Sequence, residues 1–148
     1  MGRRDRARPH HLSSLSVSQP RRPAQMVTPS APVRLHRIRN DQLYHYYLGD
    51  PLEVFMLNAD GSTERVIVGP DLRNGQYVQL LIPGNTFHTA RLVRNGRWFL
   101  GASTEWPGVV PTDVEIGNLD LLADKYPAVA ADLRAIAGST QPFNPMEP

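Results

Sequence analysis

The chain reads as an all-β sandwich or barrel carrying two short C-terminal helices. Three observations predict this. Short runs of strand-type residues recur at close spacing from Val33 to Ile116. Turn signals built from Gly, Pro, Asn and Asp separate most of them, including Asp60-Gly61 and Asn95-Gly96, pairs that favour tight hairpins. Apolar residues adopt helical spacing only near the end, at Val129, Leu133 and Ile136.

Taken in order, Val33–Ile38 is a short strand and Arg39-Asn40-Asp41 a turn. Gln42–Leu48 is a strand closed by Gly49-Asp50-Pro51. Leu52–Asn58 and Thr63–Val68 form a hairpin across Ala59-Asp60-Gly61-Ser62. Gly69-Pro70-Asp71 and Arg73-Asn74-Gly75 break the chain before the strand Tyr77–Ile82, which Pro83-Gly84-Asn85 ends. Phe87–Arg94 and Arg97–Ser103 read as a second hairpin across Asn95-Gly96. Val114–Ile116 is the last strand. A helix follows from Asn118 and stops at Pro127, and a second spans Ala128–Ala137 with Gly138 as its stop. The two helices are expected to pack on the outside of the barrel.

At 148 residues and 41% hydrophobic content, one domain with one core is expected. There is no cysteine, which removes disulfides, thiolate metal sites and a cysteine nucleophile; a cytoplasmic location is the default expectation. No apolar run approaches the ~20 residues that span a bilayer, so no membrane association is expected. Charge divides sharply. Residues 1–39 hold nine Arg and one acid, net +8, and residues 40–148 hold seven basic and thirteen acidic residues, net −6. The body is therefore acidic, and a nucleic-acid partner, which needs a basic face, is not expected for it. Residues 1–25 are rich in Arg, Pro and Ser and poor in apolar groups, and are expected to be a disordered basic leader. Residues 26–138 form the domain, and 139–148 a flexible tail.

Chemistry-bearing residues concentrate in Leu35–Asp50, LHRIRNDQLYHYYLGD, with two of the five histidines and three of the five tyrosines. On a strand, Gln42, Tyr44 and Tyr46 share one face, and Leu43, His45 and Tyr47 the other. Aromatic core packing accounts for that pattern as well as a cavity lining does. Downstream, GQYVQLLIPGNTFH sets His88 just beyond a Pro-Gly-Asn turn, at or inside a barrel mouth.

Together these stretches resemble the two cupin motifs. His36 stands at the first histidine position, Ile38 at the second, Gln42 where a glutamate is usual, and Gly49 after six intervening residues. Pro83 and His88 keep the spacing of the second motif, Asn85 replaces a glycine, and Gly75 lies two residues too far upstream. The chain is more closely similar to the cupin-5, or DUF985-like, group. His36-Arg37, the run Asp41–Tyr47, Gly49-Asp50-Pro51-Leu52-Glu53, Gly69-Pro70-Asp71-Leu72, Trp106-Pro107-Gly108 and the Leu121-Leu122…Tyr126-Pro127 helix end carry that likeness. The group's N-terminal strands have no counterpart, an Arg-rich leader standing in their place, so a truncated product or misplaced gene start is one expectation.

The resemblance implies a double-stranded β-helix, or jelly-roll, barrel that binds a small molecule and forms a homodimer. The pocket would be lined by His36, Gln42, Tyr44, Tyr46 and His88, and would suit a polar ring compound such as a sugar or sugar nucleotide. No cofactor is expected, because the motif has lost a histidine and its carboxylate; a divalent metal, if one binds, would take His36, Gln42 and His88. Whether the chain is an enzyme stays open. The alternatives are a metal-independent sugar isomerase or epimerase, with His88 or His36 as base and Tyr44 or Tyr46 as proton donor, and a truncated inactive remnant.

Overall fold

The computed structural model describes residues 25–139. The expected leader and tail lie outside the described residues, except at their inner ends, where Gln25 opens the first strand and Ser139 closes the last helix. Nine strands form two antiparallel sheets. They are β1 (Gln25–Val27), β2 (Val33–Ile38), β3 (Asp41–Gly49), β4 (Leu52–Leu57), β5 (Thr63–Val68), β6 (Gln79–Ile82), β7 (Phe87–Leu92), β8 (Phe99–Trp106) and β9 (Val114–Ile116). One sheet runs β1-β8-β3-β6 and the other β5-β4-β7-β2-β9. The helices are α1 (Leu119–Lys125) and α2 (Ala130–Ser139). The all-β jelly-roll expectation is met, and each expected strand and helix is found to within a few residues; β1 is an addition that the sequence pattern does not signal, and its first residue falls in the stretch read as leader.

The hairpin expected across Asn95-Gly96 is not there. Strand β7 pairs with β2 and β4, while β8 pairs with β1 and β3. The Asn-Gly turn instead carries the chain from one sheet to the other. Asn95 takes a left-handed φ of 68° and the Gly96 N–H closes onto the Val93 carbonyl at 2.8 Å, as turn chemistry requires. A distant clamp fixes the chain just past this turn. The Asp50 carboxylate accepts from the backbone N–H groups of Arg97, at 2.7 Å, and Trp98, at 3.3 Å. Those two hydrogen bonds hold the Asp50 carboxyl below its ordinary range. Among the described strands, only the Asp60-Gly61 turn makes a local hairpin, joining β4 to β5, with Gly61 at φ 90° and the Gly61 N–H on the Asn58 carbonyl.

The inner faces of the sheets meet in a core of Val27, Val33, Leu52, Val54, Met56, Val68, Ile82, Ala90, Leu92 and Phe99. A second apolar layer lies outside the five-stranded sheet, where α1, α2 and the short 3-10 turn between them place Leu122, Tyr126, Val129, Leu133 and Ile136 against Phe55 and Leu57. This matches the expectation of helices packed on the outside. Strand β4 is consequently covered on both faces, which is why its sequence, LEVFML, is apolar rather than alternating. Asn118 caps α1, its side-chain oxygen accepting the Leu121 N–H at 3.1 Å. No described helix is long and apolar enough to cross a membrane.

Candidate functional site

Two turns interlock at one end of the barrel and bring the two histidine-bearing stretches together. The Asp41 carboxylate, opening β3, accepts the Gly84 N–H at 2.7 Å, and the Ile38 carbonyl, closing β2, accepts the Asn85 N–H at 2.7 Å. Gly84 packs so closely on the Arg39 carbonyl that a side chain could not fit, and Asn85 adopts φ 62°. The β2–β3 and β6–β7 turns thus form one unit, and the strands leaving it carry His36 and His88 into direct register.

His36 and His88 lie with ring centroids 4.3 Å apart, and Tyr44, from the opposite sheet, presents its ring nearly edge-on to His88 at 5.7 Å. The Tyr44 hydroxyl is 3.1 Å from His88 Nε2, a hydrogen bond that crosses the barrel between the sheets. His88 Nδ1 faces the Thr86 carbonyl at 3.1 Å. A carbonyl only accepts, so Nδ1 carries the hydrogen, and Nε2 accepts from Tyr44. Burial, reinforced by repulsion from His36, lowers the His88 pKa to about 3. Burial, with the negative field of Glu105 added, pushes the Tyr44 phenol well above its ordinary value. Both groups are therefore neutral at physiological pH, with the shared proton on the tyrosine oxygen.

Gln42 is 3% exposed and points inward beside them. Its cross-strand neighbour on β8 is Glu105, and the neighbour of Tyr44 is Ser103. The Gln42 amide donates to Ser103 Oγ at 3.3 Å and to Glu105 Oε1 at 3.4 Å, and the Ser103 hydroxyl donates to the same oxygen at 2.7 Å. Sequence reasoning ends this strand at Ser103 and so misses both Ser103 and Glu105 as site residues. Extending the alternation of β8 by one pleat sets Glu105 on the inner face beside Gln42. The motif's absent carboxylate thus has a counterpart on the neighbouring strand.

Of the five expected lining residues, His36, Gln42, Tyr44 and His88 meet at this end. Tyr46 does not join them: its ring packs against Phe99, at 5.9 Å between centroids, and its hydroxyl donates to the Gly49 carbonyl at 2.8 Å. A β-bulge between Tyr46 and Leu48 follows directly. Among the described residues no three His, Asp or Glu side chains converge closely enough to hold a metal ion. Both His88 nitrogens are engaged by Thr86 and Tyr44, so the set His36, Gln42 and His88 does not fit an ion in this arrangement.

A family model described as "Cupin_5: Cupin superfamily (DUF985)" matches residues 24–117. Among solved structures, a protein from Shewanella oneidensis is 21% identical, with a TM-score of 0.69 over 80% of this chain and 72% of that one. A hypothetical protein from Leishmania major is 25% identical, with a TM-score of 0.65 over 79% and 73%. A dTDP sugar isomerase from Desulfovibrio desulfuricans is 20% identical, with a TM-score of 0.58 over 80% and 76%. No curated protein matches the chain.

Proposed function

The chain belongs to the Cupin_5 (DUF985) family of the cupin superfamily, and we propose that it is a small-molecule-binding cupin whose site is the barrel end holding His36, Gln42, Tyr44 and His88. The carrying observation is the Tyr44–His88 hydrogen bond between the sheets, flanked by the Gln42–Ser103–Glu105 network. Polar groups inside an apolar barrel cost stability unless they are satisfied, and this cluster is gathered at one end rather than scattered. Half-buried His36, Ser103 and Glu105 are its accessible members, with Gln42, Tyr44 and His88 buried behind them. The ligand class is a polar ring compound such as a sugar or a sugar nucleotide. Thermal unfolding of the folded chain against a panel of such compounds, paired with NMR of the His36 and His88 ring protons, tests this. A raised unfolding temperature with a moved His36 signal is expected. A folded chain that answers to no compound in either readout would sink the reading.

A second reading, a metal-independent isomerase or epimerase, draws on the same Tyr44–His88 bond. Tyr44 would be the proton donor. A histidine with its pKa near 3 is a poor base at neutral pH, so the base role moves from His88 to His36. Solvent deuterium entering a sugar nucleotide, and lost in Tyr44→Phe and His36→Gln, supports it. Unchanged exchange in both variants removes these residues from the mechanism.

As its partner we assign a second copy of the chain, on the outer face of the four-stranded sheet. The outer face of the other sheet is covered by α1 and α2, whereas here Met26, Tyr47, Leu48 and Leu81 are exposed.

A further inference from the structure

We propose a second binding site, at the end of the barrel away from the histidines, for a small amphiphile that carries a carboxylate on a short aliphatic body. A cleft of about 250 Å³ lies there, between α2, the β1–β2 turn and the turn that leaves β7. Strand β7 connects the two places: His88 stands near its start and Leu92 at its end, about 13 Å further along the strand. No residue of the histidine cluster lines the cleft, so this site stands independently of the reading above.

The walls are fixed without a ligand, as small-molecule sites usually are. The Gly96 N–H closes the exit turn on the Val93 carbonyl at 2.8 Å, the Val93 N–H is held by the Pro51 carbonyl at 3.0 Å, and Asp50 clamps Arg97 just beyond. Opposite, α2 is seated by buried Leu133 and by the Arg91–Asp132 ion pair at 2.8 Å. The third wall holds Pro29, in a turn closed by the Ala31 N–H on the Thr28 carbonyl at 3.1 Å. Together with Leu92, Val93 and Ala135, Pro29 gives the cleft an aliphatic lining.

The charged side chains on these walls have one sign. Arg91 and Arg94 line the cleft, and no Asp or Glu does. Arg91 is committed: with Arg65 it meets Glu53 and Asp132, two cations against two carboxylates. The nearby Asp50 carboxylate is engaged by the Arg97 and Trp98 N–H groups. Arg94 has no ion-pair partner among the described residues. The C-terminal end of α2 also borders the cleft, but its partial charge of about −0.5 is half the full charge on Arg94. A guanidinium takes a carboxylate through two parallel N–H donors, and the aliphatic lining takes the body behind it. At about 30 Å³ for each water-sized group, the volume has room for about eight heavy atoms, the size of hexanoate.

Hexanoate, hexylamine and acetate, titrated into the full chain and followed by NMR at the Gly96 amide and the His36 and His88 rings, separate the outcomes. Hexanoate is expected to move the Gly96 signal, to leave both histidine signals in place, and to bind at least about tenfold more tightly than hexylamine or acetate, a preference of ~1.4 kcal/mol. Arg94→Gln should weaken hexanoate at least about fivefold, and Arg94→Lys, which keeps the charge and loses the fork, should recover part of that loss. Ala135→Phe, which fills the cleft from an exposed position on α2, should abolish binding. Thermal unfolding of each variant confirms that it is folded. Hexanoate bound no better than hexylamine, or equally by wild type and Arg94→Gln, overturns the proposal. A Gly96 signal that answers to none of the three, or hexanoate shifts at the histidines instead, overturns it as well.

Discussion

His88 ties the barrel to acid sensitivity, and the size of the effect follows from its surroundings. The side chain is 0% exposed and its pKa falls from 6.5 to about 3. Between those values the unfolded chain binds a proton that the folded chain refuses, so stability is fully present above 6.5 and is lost as pH falls toward 3. Lowering the pH from about 7 to about 5 protonates nearly all unfolded His88 and almost none of the folded form, which removes about 2 kcal/mol. Urea unfolding of wild type and His88→Gln at a series of pH values is the assay. Glutamine cannot ionise but retains one donor and one acceptor for Thr86 and Tyr44. The variant is expected to be less stable at pH 7, and its stability should then fall about 2 kcal/mol less than that of wild type on reaching pH 5. The subtraction cancels the other titrating groups. Equal pH slopes for the two proteins, or a His88 ring signal in the folded wild type that titrates near 6.5, would refute the reasoning.

Three further outcomes are expected. Phe55→Ala, which empties a fully buried position between the five-stranded sheet and α2, should cost about 3–5 kcal/mol in urea unfolding. Asp132→Asn should loosen α2, since Asp132 pairs with Arg91 at 2.8 Å and with Arg65, both guanidiniums lying over the Phe55 ring; because Arg65 is nearly half exposed, the loss should be only about 1 kcal/mol and should shrink at high salt. Leu81→Asp, on the exposed face of the four-stranded sheet, should convert a dimer to a monomer in light scattering without lowering the unfolding temperature; a wild type that is monomeric at all concentrations removes the dimer proposal.

What the sequence makes legible in this molecule is local. The alternation Gln42, Tyr44, Tyr46 marks one shared face of β3, and burial follows it, with Gln42 and Tyr44 inside. The spacing of Pro83 and His88 puts that histidine just past a turn, where it is found. What stays illegible depends on residues far apart in the chain. Asn95-Gly96 announces a turn, but the next strand pairs with β1 and β3 rather than with the last one, and its approach is held at Arg97 by Asp50, 47 residues upstream. Tyr46 shares a face with Tyr44, yet it lies one pleat further from the site and spends its hydroxyl on Gly49. Glu105 escapes notice because the sequence pattern fades at Ser103, while the strand runs on to Trp106. Burial still alternates there, Ser103 and Glu105 inward and Thr104 and Trp106 exposed, but the inward positions are polar and the outward Trp106 is apolar, so hydrophobicity no longer reports the pleat.

Since, among the described strands, β4 and β5 alone are joined as neighbours by a short turn, every other described pair must wait for distant chain. Strand β1 finds its partner β8 about 75 residues on, Gln25 opposite Gly101. Topologies of this kind close large loops before any contact repays the entropy, and they fold in milliseconds to seconds rather than microseconds. The Tyr44–His88 bond and the Gln42–Glu105 contact each link strands that cannot meet until most of the domain has been synthesised. The cluster is therefore a late product of folding: a nascent or partly folded chain holds the right residues without their arrangement. On the binding reading proposed above, a ligand would act only after the barrel has closed, and would slow unfolding rather than hasten folding.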